Sequence, residues 1–130
     1  MPEWSIHNKW AEKMRISREV SNFVNKLIDF PEECQEFSED QRKIYKIEHN
    51  SGRKRKTVMY MQLRFLRQKG AEFVKAWFLH HALDYIKGAP ILSIEEVLKR
   101  LEERTEVCPE LETVQDFIEE NSEQILHDCR

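Results

Sequence analysis

EFVKAWFLHHALDYIK, residues 72–87, decides how the chain is read, because no other stretch of helical length stays apolar on nearly every side. Between Lys75 and Asp84 it carries no charge, yet it holds two adjacent histidines, His80 and His81. A helix that is hydrophobic all round is a buried one. The spacing therefore predicts a central helix over about residues 71–87, with the rest of the chain wrapped around it. Polar groups in such a place are either satisfied core residues or a site.

The flanking segments read as helices that cover this one. Gly70 sits before it, and Gly88 and Pro90 close it. Upstream, Met59, Leu63 and Leu66 form one row and Val58, Met61 and Phe65 another, which predicts a helix from about Arg53 to Lys69. Downstream, Ser93 and Glu96 form a capping box ahead of Ile94, Val97, Leu98 and Leu101, with Glu95 to Lys99 and Glu96 to Arg100 as i,i+4 pairs. Pro109 resets the chain, and a last helix is expected from about Glu110 to His127.

At the other end, Trp4, His7, Ala11 and Met14 recur at spacings of three and four on one face. Ser17 caps a second helix that turns Val20, Phe23, Val24, Leu27 and Ile28 inward and stops at Pro31. Ser38 with Gln41 starts a short helix through Ile44 and Ile47 toward His49, and Asn50, Ser51 and Gly52 break it. No stretch alternates with period two for long enough to be a strand. The expectation is an all-α single domain over residues 1–130, with six to seven helices around the central one.

The net charge of -3 is modest, from 21 Lys or Arg against 24 Asp or Glu, but the charge is unevenly placed. Residues 41–75 carry a surplus of nine positive charges and residues 92–130 an excess of eight negative ones. Such asymmetry implies two faces that attract each other, within one chain or between subunits of a homo-oligomer, or a basic patch meant for a partner. Cys34, Cys108 and Cys129 form no CxxC pair and are odd in number, which suits a reducing cytoplasm. Apolar runs fall well short of the roughly 20 residues that span a bilayer, so no membrane partner is expected. The wealth of Glu, Lys and Arg also suits a thermophile.

Two constellations could carry chemistry. Arg53, Lys54, Arg55 and Lys56 crowd cations at a helix start whose dipole is already positive, an arrangement that calls for an anion. Downstream, Arg53, Lys56, Tyr60, Arg64 and Arg67 continue as a stripe opposite Met59 and Leu63, the way phosphate backbones are gripped. The plain alternative is a solvated face balanced by the acidic C-terminal segment.

The second constellation is histidine-based. His80 and Asp84 are spaced i,i+4 and His81 and Asp84 i,i+3, so Asp84 reaches toward either imidazole, with His7 and His49 as further candidate metal ligands. The plain alternative is a set of core histidines with structural hydrogen bonds. Ala11, Met14, Ile16, Ser17, Val20 and Val24 also resemble the helix-turn-helix phrase of DNA-binding regulators, with Arg15 at the usual glycine position and Ser21 where an apolar residue is usual.

His7, then His49-Asn50-Ser51-Gly52-Arg53-Lys54 at a helix junction, then His80-His81 with Asp84, resembles the HD-domain superfamily of metal-dependent phosphohydrolases. The resemblance implies an all-α bundle with His7 and His49 as ligands, His80 or His81 as an accessory ligand and Asp84 as the last ligand of a divalent metal ion. Asn50 stands where the paired aspartate belongs, which fits a binding-only member as well as an active enzyme. From the basic stripe, the expected function is binding of a nucleic acid or a nucleotide polyphosphate. The alternatives are an HD-like phosphohydrolase or a structural protein assembled through opposite charges.

Overall fold

The computed structural model describes residues 4–44 and 56–130, with the side chains of residues 56–58 left aside. The fold is all-α, and no strand occurs among the described residues. In chain order, α1 spans Trp4–Lys13, α2 spans Arg18–Asp29, and a 3-10 turn covers Pro31–Glu33. A helix entered at residue 39 is described to residue 44 and is termed α3. Then come α4 (Lys56–Lys69), α5 (Ala71–Gly88), α6 (Ile94–Arg104), α7 (Pro109–Glu120) and α8 (Ser122–Cys129).

Local chemistry sets most of these boundaries. The Ser17 hydroxyl accepts from the Val20 amide at the start of α2, and Ser93 accepts from Glu96 at the start of α6. In both places a side-chain oxygen satisfies an N–H that the first helical turn leaves without a partner. Ser38 and Gln41 form the reciprocal box, with side chain to backbone bonds of 3.0 and 3.1 Å. The Gly70 φ of +138° lets α4 turn into α5, a conformation that side chains with a Cβ rarely adopt. Between α1 and α2 the same service is done at a cost by Arg15, at φ +63°.

α5 is the axis of the bundle. Every residue from Ala76 to Leu83 is buried, and α1, α2, α4, α6, α7 and α8 all pack against it. Trp77, Phe78, Leu83 and Ile86 are wholly out of solvent. The indole N–H of Trp77 donates to Gln62 Oε1 at 2.9 Å, so the largest buried side chain on the helix is also satisfied. α1 is tied to α8 through Asp128, which accepts from Lys9 and from the Trp10 indole at 2.7 and 2.9 Å.

The chain departs from expectation at its C-terminal end. The single helix expected from Glu110 to His127 is two, because Asn121 takes φ -117° and ψ 20° and its side-chain amide donates to the Phe117 carbonyl at 2.8 Å. Asparagine side chains compete with the helical backbone in this way. Glu96 Oε1 accepts from the Ser93 hydroxyl, which completes the cap of α6. Cys34, Cys108 and Cys129 are free thiols. Among the described residues no helix is long and apolar enough to cross a membrane.

Candidate metal centre between α1, α2 and α5

His7 on the inner face of α1 meets His80 and Asp84, one turn apart on α5, within the core. The three offer ligand atoms that all lie within 4.8 Å of one another. His7 Nε2 is 3.2 Å from Asp84 Oδ1, and His80 Nε2 is 3.2 Å from Asp84 Oδ2. The two imidazoles stack face to face, with centroids 4.0 Å apart and planes 3° from parallel. Asp29, at the end of α2, adds Oδ1 at 3.4 Å from His80 Nε2. Its other oxygen accepts from the Trp4 indole at 2.8 Å.

A chain of oriented amides stands behind His80. Asn8 gives its amide N–H to Asn22 and accepts at Oδ1 from the Ser21 hydroxyl and the Asn25 amide, at 2.6 and 3.1 Å. That fixes the rotamer of Asn25 and turns its carbonyl oxygen to His80 Nδ1, 2.7 Å away. A carbonyl can only accept, so His80 carries its proton on Nδ1 and aims Nε2 at the carboxylates. Such outer partners hold metal-bound histidines in one tautomer and orientation.

The electrostatics follow from burial and from the two carboxylates. Burial works against the charge of His80, but Asp29 and Asp84 more than offset it and raise the imidazole pKa above its ordinary value. For His7 burial wins over the single close carboxylate, and its pKa is lowered. Burial would raise Asp84, yet its contacts with His7 and His80 hold it well below the usual carboxylate range. The centre thus contains an ionised aspartate between two rings of opposite tendency.

The donor set fits a divalent transition metal. His7 Nε2, His80 Nε2 and Asp84 Oδ1 approach closely, but their angles make no aligned hydrogen bond. Ligands bonded to one cation at about 2.0–2.2 Å stand roughly 3.0–3.4 Å apart in octahedral or tetrahedral arrangements. The two 3.2 Å contacts run to different oxygens of Asp84, and one atom from each residue closes to within 4.8 Å, so the stacked rings would turn toward each other to share an ion. Imidazole with carboxylate suits zinc, iron or manganese.

The remaining sequence candidates fall elsewhere. His81 is buried beside His80 but points to another side of α5, where its ring meets Trp77 edge-on at 4.3 Å. His49, Asn50 and the cationic helix start Arg53, Lys54 and Arg55 lie outside the described residues, and Lys56 is described only as the first residue of α4. Tyr60, Arg64 and Arg67 do share a face of α4, lining a pocket of about 250 Å³ with Leu63 and Glu106. The α1–α2 pair is packed into the bundle, with Val20, Val24, Asn25 and Ile28 of α2 buried.

Sequence reasoning passed over Asn25 and Asp29. Their signal was present as Ser21, Asn25 and Asp29 at spacings of four, a polar row set into the apolar face of α2.

Fold and site together define a helical bundle whose central helix carries two of the three members of a two-histidine, one-carboxylate cluster able to hold a metal ion. Comparison with protein-family models, with curated proteins and with solved structures gave no match.

Proposed function

We propose that this protein is a metal-dependent phosphohydrolase whose ion is held by His7, His80 and Asp84, with Asp29 beside them. The observation that carries the reading is the convergence of His7, His80 and Asp84 to within 4.8 Å of one another, with Asp29 beside them, inside a core where burying charged and polar groups is costly. It agrees with the order of histidines and aspartate that resembles the HD-domain superfamily. A bound divalent cation supplies Lewis acidity and lowers the pKa of a water molecule. Asn25 holds His80 in the ligating tautomer, and Asp29 lies beside the cluster, with Oδ1 3.4 Å from His80 Nε2 and its other oxygen accepting from the Trp4 indole.

Metal content of the purified protein, measured before and after addition of Mn, Fe or Zn, tests this directly. The expected result is about one ion per chain, lost in His80→Ala and Asp84→Ala, together with hydrolysis of a phosphate ester that needs the ion. A folded protein that takes up no metal would remove the proposal.

The second reading is nucleic-acid binding along α4. It is favoured by Tyr60, Arg64 and Arg67 lining one open pocket. RNA or DNA affinity measured across salt concentration checks it, since binding through phosphates weakens steeply with salt. Affinity unchanged in Arg64→Ala together with Arg67→Ala would exclude that surface.

A further inference from the structure

On the outer side of the metal ligands, a cleft of about 250 Å³ lies between α5 and α6, lined by Asp84, Tyr85, Gly88, Ala89, Leu92, Arg100 and Arg104. Two features set it apart from an ordinary surface groove. Asp84, the partly exposed member of the buried cluster, forms part of its wall, with 15% of its side chain open to solvent. Both cations come from α6, one helical turn apart. Arg104 is positioned by Tyr85, whose hydroxyl accepts from Nη1 at 3.3 Å and whose ring lies 5.6 Å beneath the guanidinium. Arg100 forms no ion pair among the described residues. The floor of the cleft is braced by Arg130, which donates to the carbonyls of Ile86, Ala89 and Leu92 at 2.8–3.0 Å.

We infer that this cleft is an anion subsite, in which Arg100 and Arg104 seat the phosphate of a small phosphomonoester against the Asp84 end of the metal centre. The inference deepens the function proposed above and rests on it for the role of the metal. Two guanidinium forks match the oxygens of a phosphate, which they bind in pairs. A single carboxylate in the wall opposes an anion, but a cation bound to that carboxylate reverses the local sign, so metal and phosphate strengthen one another. The volume falls just below the small end of ligand sites, which run from roughly 300 Å³ upward, and leaves room for a phosphate with a small organic group. Leu92 and the Tyr85 ring supply apolar walls for the organic part of the ester.

Binding of inorganic phosphate, followed by calorimetry on the whole chain with and without added Mn, decides the question. In the wild type the affinity is expected to rise when metal is added. Arg100→Ala and Arg104→Ala are each expected to weaken it tenfold or more at unchanged metal content, and Leu92→Trp, which fills the cleft, to abolish it. Phosphate affinity unchanged from the wild type in both arginine variants, loss of binding in Arg64→Ala instead, or no affinity in the metal-loaded wild type would overturn the subsite. Metal content is read on the same samples. Chains that take up no metal would end the hydrolase reading, while the arginine comparison would still decide the subsite.

Discussion

At the scale of single residues, the centre depends on groups that never touch a ligand. Asn25 is the clearest, because its carbonyl fixes the proton of His80 on Nδ1 and so leaves Nε2 for coordination. Asn25→Ala removes that acceptor and frees the ring, and the expected loss of metal affinity is about 10- to 100-fold, the usual effect of an outer partner. Competition against a chelator of known affinity measures it, and unchanged affinity would strip Asn25 of the role. The raised pKa of His80 gives a pH dependence of definite sign. A proton on Nε2 competes with metal, so below the folded pKa of His80 each unit drop in pH lowers apparent affinity by about tenfold, and binding releases one proton. In the metal-free protein the same shift contributes stability below pH about 6.5, lost as pH rises through the folded value. Asp84, shifted the other way, contributes stability above its ordinary carboxylate value, lost only in strong acid. Asp29→Asn removes one of the carboxylates that raise His80, so the onset of proton competition should move to lower pH. Metal titrations between pH 5 and 8 read both effects.

At the scale of elements, backbone conformation at the joints carries the cost of the fold. Gly70 sits at φ +138° and ψ 167°, with no heavy atom within 4 Å of where a Cβ would be. Gly70→Ala therefore meets no clash but does meet backbone strain, and a loss of about 1–3 kcal/mol is expected in urea unfolding. A neutral result would mean that the α4–α5 joint relaxes to an ordinary conformation. The joints also explain what was readable in advance. Serine caps, glycine breaks and the 3.6-residue period act within a few residues, so α2, α5 and α6 begin where their sequence signals lie. The break at Asn121 is local in the same sense, since its side-chain amide donates to the Phe117 carbonyl four residues back, the same competition with the helical backbone that marks Asn50 as a break in the sequence. Ser21 shows the reverse case. It interrupts an apolar row for a reason that becomes visible only when Asn8 arrives from α1.

At the scale of the whole molecule, stability is concentrated on one helix. Phe78 has no solvent exposure, and Phe78→Ala should cost about 3–5 kcal/mol, a large part of the 5–15 kcal/mol that typically holds a domain together. Ile91, 94% exposed, should lose no more than about 0.5 kcal/mol on the same truncation. Similar losses at the two positions in denaturant unfolding would contradict α5 as the axis. The sequence by itself determined that the chain is helical, where most helices start, that residues 72–87 lie at the centre, and that His80 and Asp84 share a face of one helix. Those properties depend on spacing along the chain. Only the tertiary structure decided that His7 joins them while His81 turns to Trp77, that Asn25 and Asp29 complete the setting, and that Arg100 and Arg104 look across a cleft at Asp84. Convergence of this kind depends on how each helix is rotated against its neighbours, and that rotation is fixed by side chains packing across the whole core rather than by spacing within any one helix.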